Sequence, residues 1–108
     1  MPQRYIAVES LLIDIEYQLR RLGLWEQASP SAEALASTEP FAIDTLNAPQ
    51  WLRFIFLARL RMVIRQLLPL PEQCSVAPYL EQYFAATQHD ARELLILVAR
   101  LDNVISNA

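Results

Sequence analysis

A chain of 108 residues with 54% hydrophobic and 19% charged residues is too apolar to be disordered and long enough for one core, so residues 1–108 are expected to form a single domain. A formal charge of −3 argues against a polyanion-binding tail, and the lone Cys74 excludes an internal disulfide. The longest unbroken apolar run, Leu94 to Ala99, is far too short to span a bilayer, and Glu9, Asp14 and Glu16 interrupt the first apolar stretch as no secretory signal allows. A soluble, cytoplasmic protein is the expectation.

In chain order, Val8, Leu11, Leu12, Ile15, Leu19 and Leu22 recur at three- and four-residue steps and predict a helix from Gln3 to Leu22. Arg20 and Arg21 suit the negative end of its dipole, and Gly23 suits the residue just beyond. The connection from Leu24 to Asn47 is long for a structureless loop. Ser29-Pro30 within it predicts a short helix near residues 30–36, and Glu39 before Pro40 should be extended. Phe41 and Ile43 are expected to anchor this strap in the core.

Asn47-Ala48-Pro49-Gln50 resembles a capping box and opens a central helix from Ala48 to Leu68, ended by Pro69. Its apolar residues, from Trp51 to Leu67, point nearly all round the axis, which predicts packing on most sides. Ala77-Pro78 starts a shorter helix to Thr87 that turns Tyr79, Leu80, Tyr83 and Phe84 inward. The last helix begins near His89-Asp90, with Glu93 completing a cap for Asp90, and carries Leu94, Leu97, Val98, Leu101 and Ile105 as its stripe. The expected fold is all-α, a four-helix bundle with a long strapped connection that contains a short extra helix.

Charge is segregated. Residues 24–49 hold Glu26, Glu33, Glu39 and Asp44 with no base, residues 50–68 hold Arg53, Arg59, Arg61 and Arg65 with no acid, and residues 69–90 hold Glu72, Glu81 and Asp90. The acidic flanks are expected to neutralise the basic helix within the fold, which argues against direct nucleic-acid binding through Arg53, Arg61 and Arg65.

The chemical inventory is thin. His89 is the only histidine and sits at a predicted helix start, far from Cys74. No glycine follows Gly23, so a phosphate-binding loop has no material. Glu9, Asp14 and Glu16 read as a solvated face. No catalytic residue, metal site or cofactor is expected, and the chain reads as a non-enzyme.

Arg59 stands apart, because uniform helical phasing puts it among Leu52, Ile55, Met62 and Val63, where a charge needs a partner. Asp44 and Glu81 are the candidates. One reading is a structural clamp that ties both flanking segments to the helix. The other is a pocket in which Arg59 binds an anionic group beside Trp51 and Tyr79. Burial separates the two, since a buried clamp means structure and an open site means binding.

The same residues carry a family resemblance. Ser37-Thr38-x-Pro40-Phe41-x-x-Asp44-Thr45, Trp51-Leu52, Arg59, Pro69-Leu70-Pro71, Val76-Ala77-Pro78-Tyr79-x-Glu81 and Thr87-x-His89 closely resemble the YqcC-like family of small bacterial proteins. The resemblance implies an all-helical bundle with no assigned activity. It also implies a link to tRNA pseudouridine modification, because genes of that family commonly neighbour one for a tRNA pseudouridine synthase. Together these point to a protein–protein interaction or accessory factor, with a tRNA-modifying enzyme as the candidate partner. Its contact surface would be the strap around Phe41–Asp44 with the Pro69–Tyr79 segment. The alternative is a small anionic-ligand binder centred on Arg59. Self-association stays open, given the apolar central helix.

Overall fold

The computed structural model describes residues 3–26 and 28–106. Helix α1 is Gln3–Arg21, and a one-turn α2 is Ala32–Leu35. A 3-10 turn follows at Pro40–Ala42. The central helix, α3, is continuous over residues 48–65 but has three parts: Ala48–Trp51 is α-helical, Leu52–Leu57 is a π turn and Ala58–Arg65 is α-helical again. Helices α4 (Ala77–Ala85) and α5 (Arg92–Ser106) complete the bundle. No strand occurs among the described residues.

The core is built by the expected stripes. Val8, Leu12, Ile15 and Leu19 of α1 are buried against Leu94, Val98, Leu101 and Ile105 of α5. These two helices form the most extensive pair, whereas α1 touches α3 more lightly. Leu52, Leu57 and Leu60 of α3 and Leu80 and Phe84 of α4 close the core from the other side. Each fully buried aliphatic side chain contributes about 1.5–3 kcal/mol relative to exposure.

Local signals act where the chain needs them. The Asn47 carboxamide accepts from the Gln50 amide at 2.9 Å and the Gln50 side chain accepts from the Asn47 amide at 3.0 Å, a reciprocal capping box. Ser31 caps α2 by accepting from the Ala34 amide at 3.1 Å. Gly23, with φ of 73°, ends α1 as Leu24 N–H donates to the Leu19 carbonyl at 2.8 Å. Arg4 reaches from the start of α1 to the end of α5, donating to the Val104 and Ile105 carbonyls at 3.2 and 2.7 Å.

Several expectations are corrected. The central helix stops at Arg65, where Leu67 takes the left-handed role usually given to glycine, with φ of 55° and Leu68 N–H donating to the Val63 carbonyl at 2.9 Å. Helix α5 starts at Arg92, and Asp90 accepts from the Arg92 amide and guanidinium; no hydrogen bond from Glu93 completes a box. Ile43 is exposed; Ala42 fills the core position, because two left-handed residues reverse the strap there. Nor is α3 enclosed on most sides: Trp51, Phe54, Ile55 and Phe56 are half-buried and Met62 is exposed.

Candidate functional site

The half-buried side of α3 faces an open cleft of about 540 Å³. Leu35, Ser37, Glu39, Phe41 and Ala42 of the strap form one wall. Trp51, Phe54, Ile55, Ala58, Arg59 and Met62 of α3 form the other. The π turn supplies two of these residues, Phe54 and Ile55. Such turns insert one extra residue per helical turn and are most frequent at functional sites.

The strap wall is strained. Phe41 and Ala42 have φ of 56° and 49°. For residues with a Cβ this costs roughly 1–2 kcal/mol each. Hydrogen bonds on both sides hold them there. Leu46 N–H donates to the Ala42 carbonyl at 2.8 Å, Ala42 N–H donates to the Glu39 carbonyl at 2.9 Å, and the Thr45 hydroxyl donates to the Ala34 carbonyl at 2.8 Å. The Ser37 hydroxyl donates to the Asp44 carboxylate at 2.5 Å and closes the loop. Strain held by surrounding structure in this way concentrates at binding and switch sites.

What the strain positions is an aromatic cluster. The Phe41 ring stacks on Tyr79 with centroids 4.2 Å apart and meets Trp51 edge-on at 4.9 Å. Trp51 in turn stacks on Phe56 at 5.3 Å. Pairs of this kind contribute about 0.5–1.5 kcal/mol each beyond area burial. Burial, and secondarily the neighbouring Tyr83, pushes the Tyr79 phenol above its ordinary range, so it stays a neutral hydrogen-bonding group.

The structure therefore gathers Phe41, Trp51 and Tyr79, with Arg59 on the same α3 wall of the cleft as Trp51 and facing Phe41 of the strap, while Tyr79 packs behind Phe41 and does not line the cleft. It does not form the expected clamp. Arg59 is exposed, and among the described residues no carboxylate lies within ion-pair distance of it. Asp44 is engaged with Ser37. Glu81 lies on the exposed side of α4, beside Phe84, His89 and Arg92. Arg59 stands exposed on the cleft wall.

Two constellations escaped the sequence reading. Asp102 is 9% exposed on α5 and points at the start of α4, where its carboxylate accepts from the Val76 amide at 2.9 and 3.0 Å, the Ala77 amide at 2.8 Å and the Cys74 thiol at 3.1 Å. Ser106 accepts from the Cys74 amide at 2.9 Å and donates to its carbonyl at 3.1 Å. Together they fasten the Pro69–Tyr79 segment to α5. Desolvation first, then the hydrogen bond and charge of Asp102, push the Cys74 thiol up to about 12. Cys74 is therefore engaged with Asp102, while His89 is exposed against Phe84.

The second constellation surrounds Trp25, which is 8% exposed. The guanidinium carbons of Arg53, Arg20 and Arg61 lie 4.3, 5.0 and 5.8 Å from its ring centroid. Arg53 also donates to the Trp25 carbonyl. Glu16 of α1 accepts from Arg61 at 2.5 Å and from Arg20 at 2.9 Å. Partial burial raises the Glu16 carboxyl, but the bonds and charges of Arg61 and Arg20 outweigh it and hold the group below the usual carboxylate range. The neutralisation expected from the acidic flanks does not occur here: among the described residues, Glu16 of α1 is the carboxylate paired with this basic group.

Comparison with known proteins places this architecture. Residues 7–104 match a family model described as tRNA pseudouridine synthase C. An uncharacterised protein of Haemophilus influenzae is 30% identical over 89% of this chain and 90% of its own length. The uncharacterised protein YqcC of Escherichia coli is 33% identical over 76% of this chain and 74% of its own. A protein of Pectobacterium carotovorum named tRNA pseudouridine synthase C is 41% identical over 59% of this chain, a stretch that is 17% of that protein. The solution structure of Escherichia coli YqcC superposes with a TM-score of 0.82 at 30% identity, covering 98% of this chain and 91% of that one. Sequence and fold agree across nearly the whole length, and the chain belongs to the YqcC-like family.

Proposed function

We propose that this chain is a non-catalytic accessory module for a tRNA pseudouridine synthase of the C type in the bacterial cytoplasm, and that it docks through the Phe41–Arg59 cleft. The observation that carries the reading is the stretch 41% identical to part of this chain within a protein named as that synthase. A segment that lies within an enzyme chain in one bacterium and makes up most of a short uncharacterised protein in others serves that enzyme most simply by contact. The cleft suits a partner segment that brings an apolar side chain to Phe41, Trp51 and Phe54 and a carboxylate to Arg59.

The test is co-purification of the tagged chain with the synthase of the same bacterium, after nuclease treatment. One complex is expected, lost on Arg59→Glu while the variant itself stays folded. A synthase that elutes separately from the wild-type chain at micromolar concentrations would overturn the reading.

Arg59, exposed and with no carboxylate in ion-pair distance among the described residues, also favours a second reading, a small carboxylate or phosphate ester held in the same cleft. A ligand of that class should raise the melting temperature of the wild-type chain and leave Arg59→Ala unmoved.

A further inference from the structure

We infer that the arginine cluster around Trp25 is a second binding site, one that takes phosphate groups of an RNA backbone. Three elements build it: α1 gives Arg20, α3 gives Arg53 and Arg61, and the segment after Gly23 gives the indole on which all three guanidiniums rest.

Charge and hydrogen-bond capacity both point to an anion. Among the described residues Glu16 is the one carboxylate bonded to the trio, so the cluster keeps more positive than negative charge on a protein of net charge −3. Each guanidinium carries five N–H donors. Among the described residues, Arg20 uses one on Glu16, Arg61 one on Glu16 and Arg53 one on the Trp25 carbonyl. Holding each guanidinium over the Trp25 ring positions it in advance, which lowers the entropy lost when a phosphate is gripped.

Space is available as well. A hollow of about 250 Å³ opens beside Arg20, Gly23 and Trp25, with Glu26 on its rim; Arg20 lines it, while Arg53 and Arg61 sit behind the Trp25 ring and add their charge from there. Arg20 is half exposed, so its free donors reach an incoming ligand. Trp25 is buried, so its ring cannot stack on a base. The site reads backbone phosphate and not sequence. Glu26 opposes the anion, which keeps the unaided affinity low and suits a module that acts together with a second RNA-binding protein.

The choice of RNA among polyanions rests on the accessory reading above. The experiment omits the synthase, so the two fail separately. Fluorescence anisotropy of labelled tRNA is measured with the whole chain in low salt and as salt rises, with poly-glutamate as a second probe. Wild type should bind tRNA without sequence preference. Arg20→Gln should weaken binding about fivefold and lower the salt slope by about one. Arg53→Lys keeps the charge but loses the guanidinium held over Trp25, and it should also weaken binding. Glu26→Gln should tighten it, while Arg100→Gln, on exposed α5 surface, should change nothing. Absent tRNA binding, equal losses in Arg20→Gln and Arg100→Gln, or a preference for poly-glutamate would each overturn the assignment.

Discussion

Asp102 bonds both oxygens to the Val76 amide, at 3.0 and 2.9 Å, across a sequence separation of 26 residues. A carboxylate on α5 thus caps the preceding helix and satisfies donors that the chain buries at the start of α4. Asp102→Ala strands two buried N–H groups and should cost at least ~2 kcal/mol. Asp102→Asn keeps one acceptor oxygen and should fall between. Urea melts that rank Asn below Ala would contradict this role.

Cys74 is sealed by the same carboxylate. In the unfolded chain its thiol ionises near pH ~8.5, whereas the folded thiol holds its proton up to about 12. Its contribution to stability is therefore complete below about pH 8.5 and falls as pH rises towards 12. Thiol reagents at pH 8 should label the native protein far more slowly than the urea-unfolded one. Cys74→Ala should lose less stability than wild type between pH 8.5 and 11. Equal labelling rates in the native and unfolded states would show the thiol to be open.

Leu67 is 63% exposed and left-handed, so its side chain gains little from burial while its backbone bears strain. Leu67→Gly should stabilise the fold by about 1 kcal/mol. A destabilised variant would mean that the side chain makes an unseen contact, as in a self-associated form, and sedimentation at increasing concentration would reveal it.

Trp51 and Arg59 line the cleft and are not fully buried. Truncating a core tryptophan costs roughly 3–5 kcal/mol. Trp51→Ala should cost less than that range, since one side of the ring faces open space. Arg59→Ala and Arg59→Leu should both lie within about 0.5 kcal/mol of wild type. Chemical denaturation giving a large loss for Arg59→Ala alone would restore the buried-clamp reading.

The helices, their order and two of their caps were legible because each depends on residues within one or two turns: Asn47 with Gln50, and Gly23, act on their own neighbourhood. The short helix was expected to start from Ser29-Pro30, but Ser31, two residues further on, caps it by accepting from the Ala34 amide. What was illegible depends on distant partners or backbone irregularity. Asp102 looks like one polar residue on an apolar stripe until α4 arrives beside it. The left-handed turn occurs at Phe41 and Ala42, where glycine would have announced it. Arg59 does share a face with Ile55 and Met62, as its spacing implies, but that face lines an open cleft and is not core, because the strap that could cover it stops short of closing over it.

The Arg4 side chain, bonded to the Val104 and Ile105 carbonyls, brings the first turn of α1 against the last turn of α5. Topologically the fold is almost a ring. A short polar linker between the two ends, with the chain cut in the 86–91 connection between α4 and α5, should give a circular permutant that keeps the helix packing, the cleft and the arginine cluster, all of which lie outside that connection.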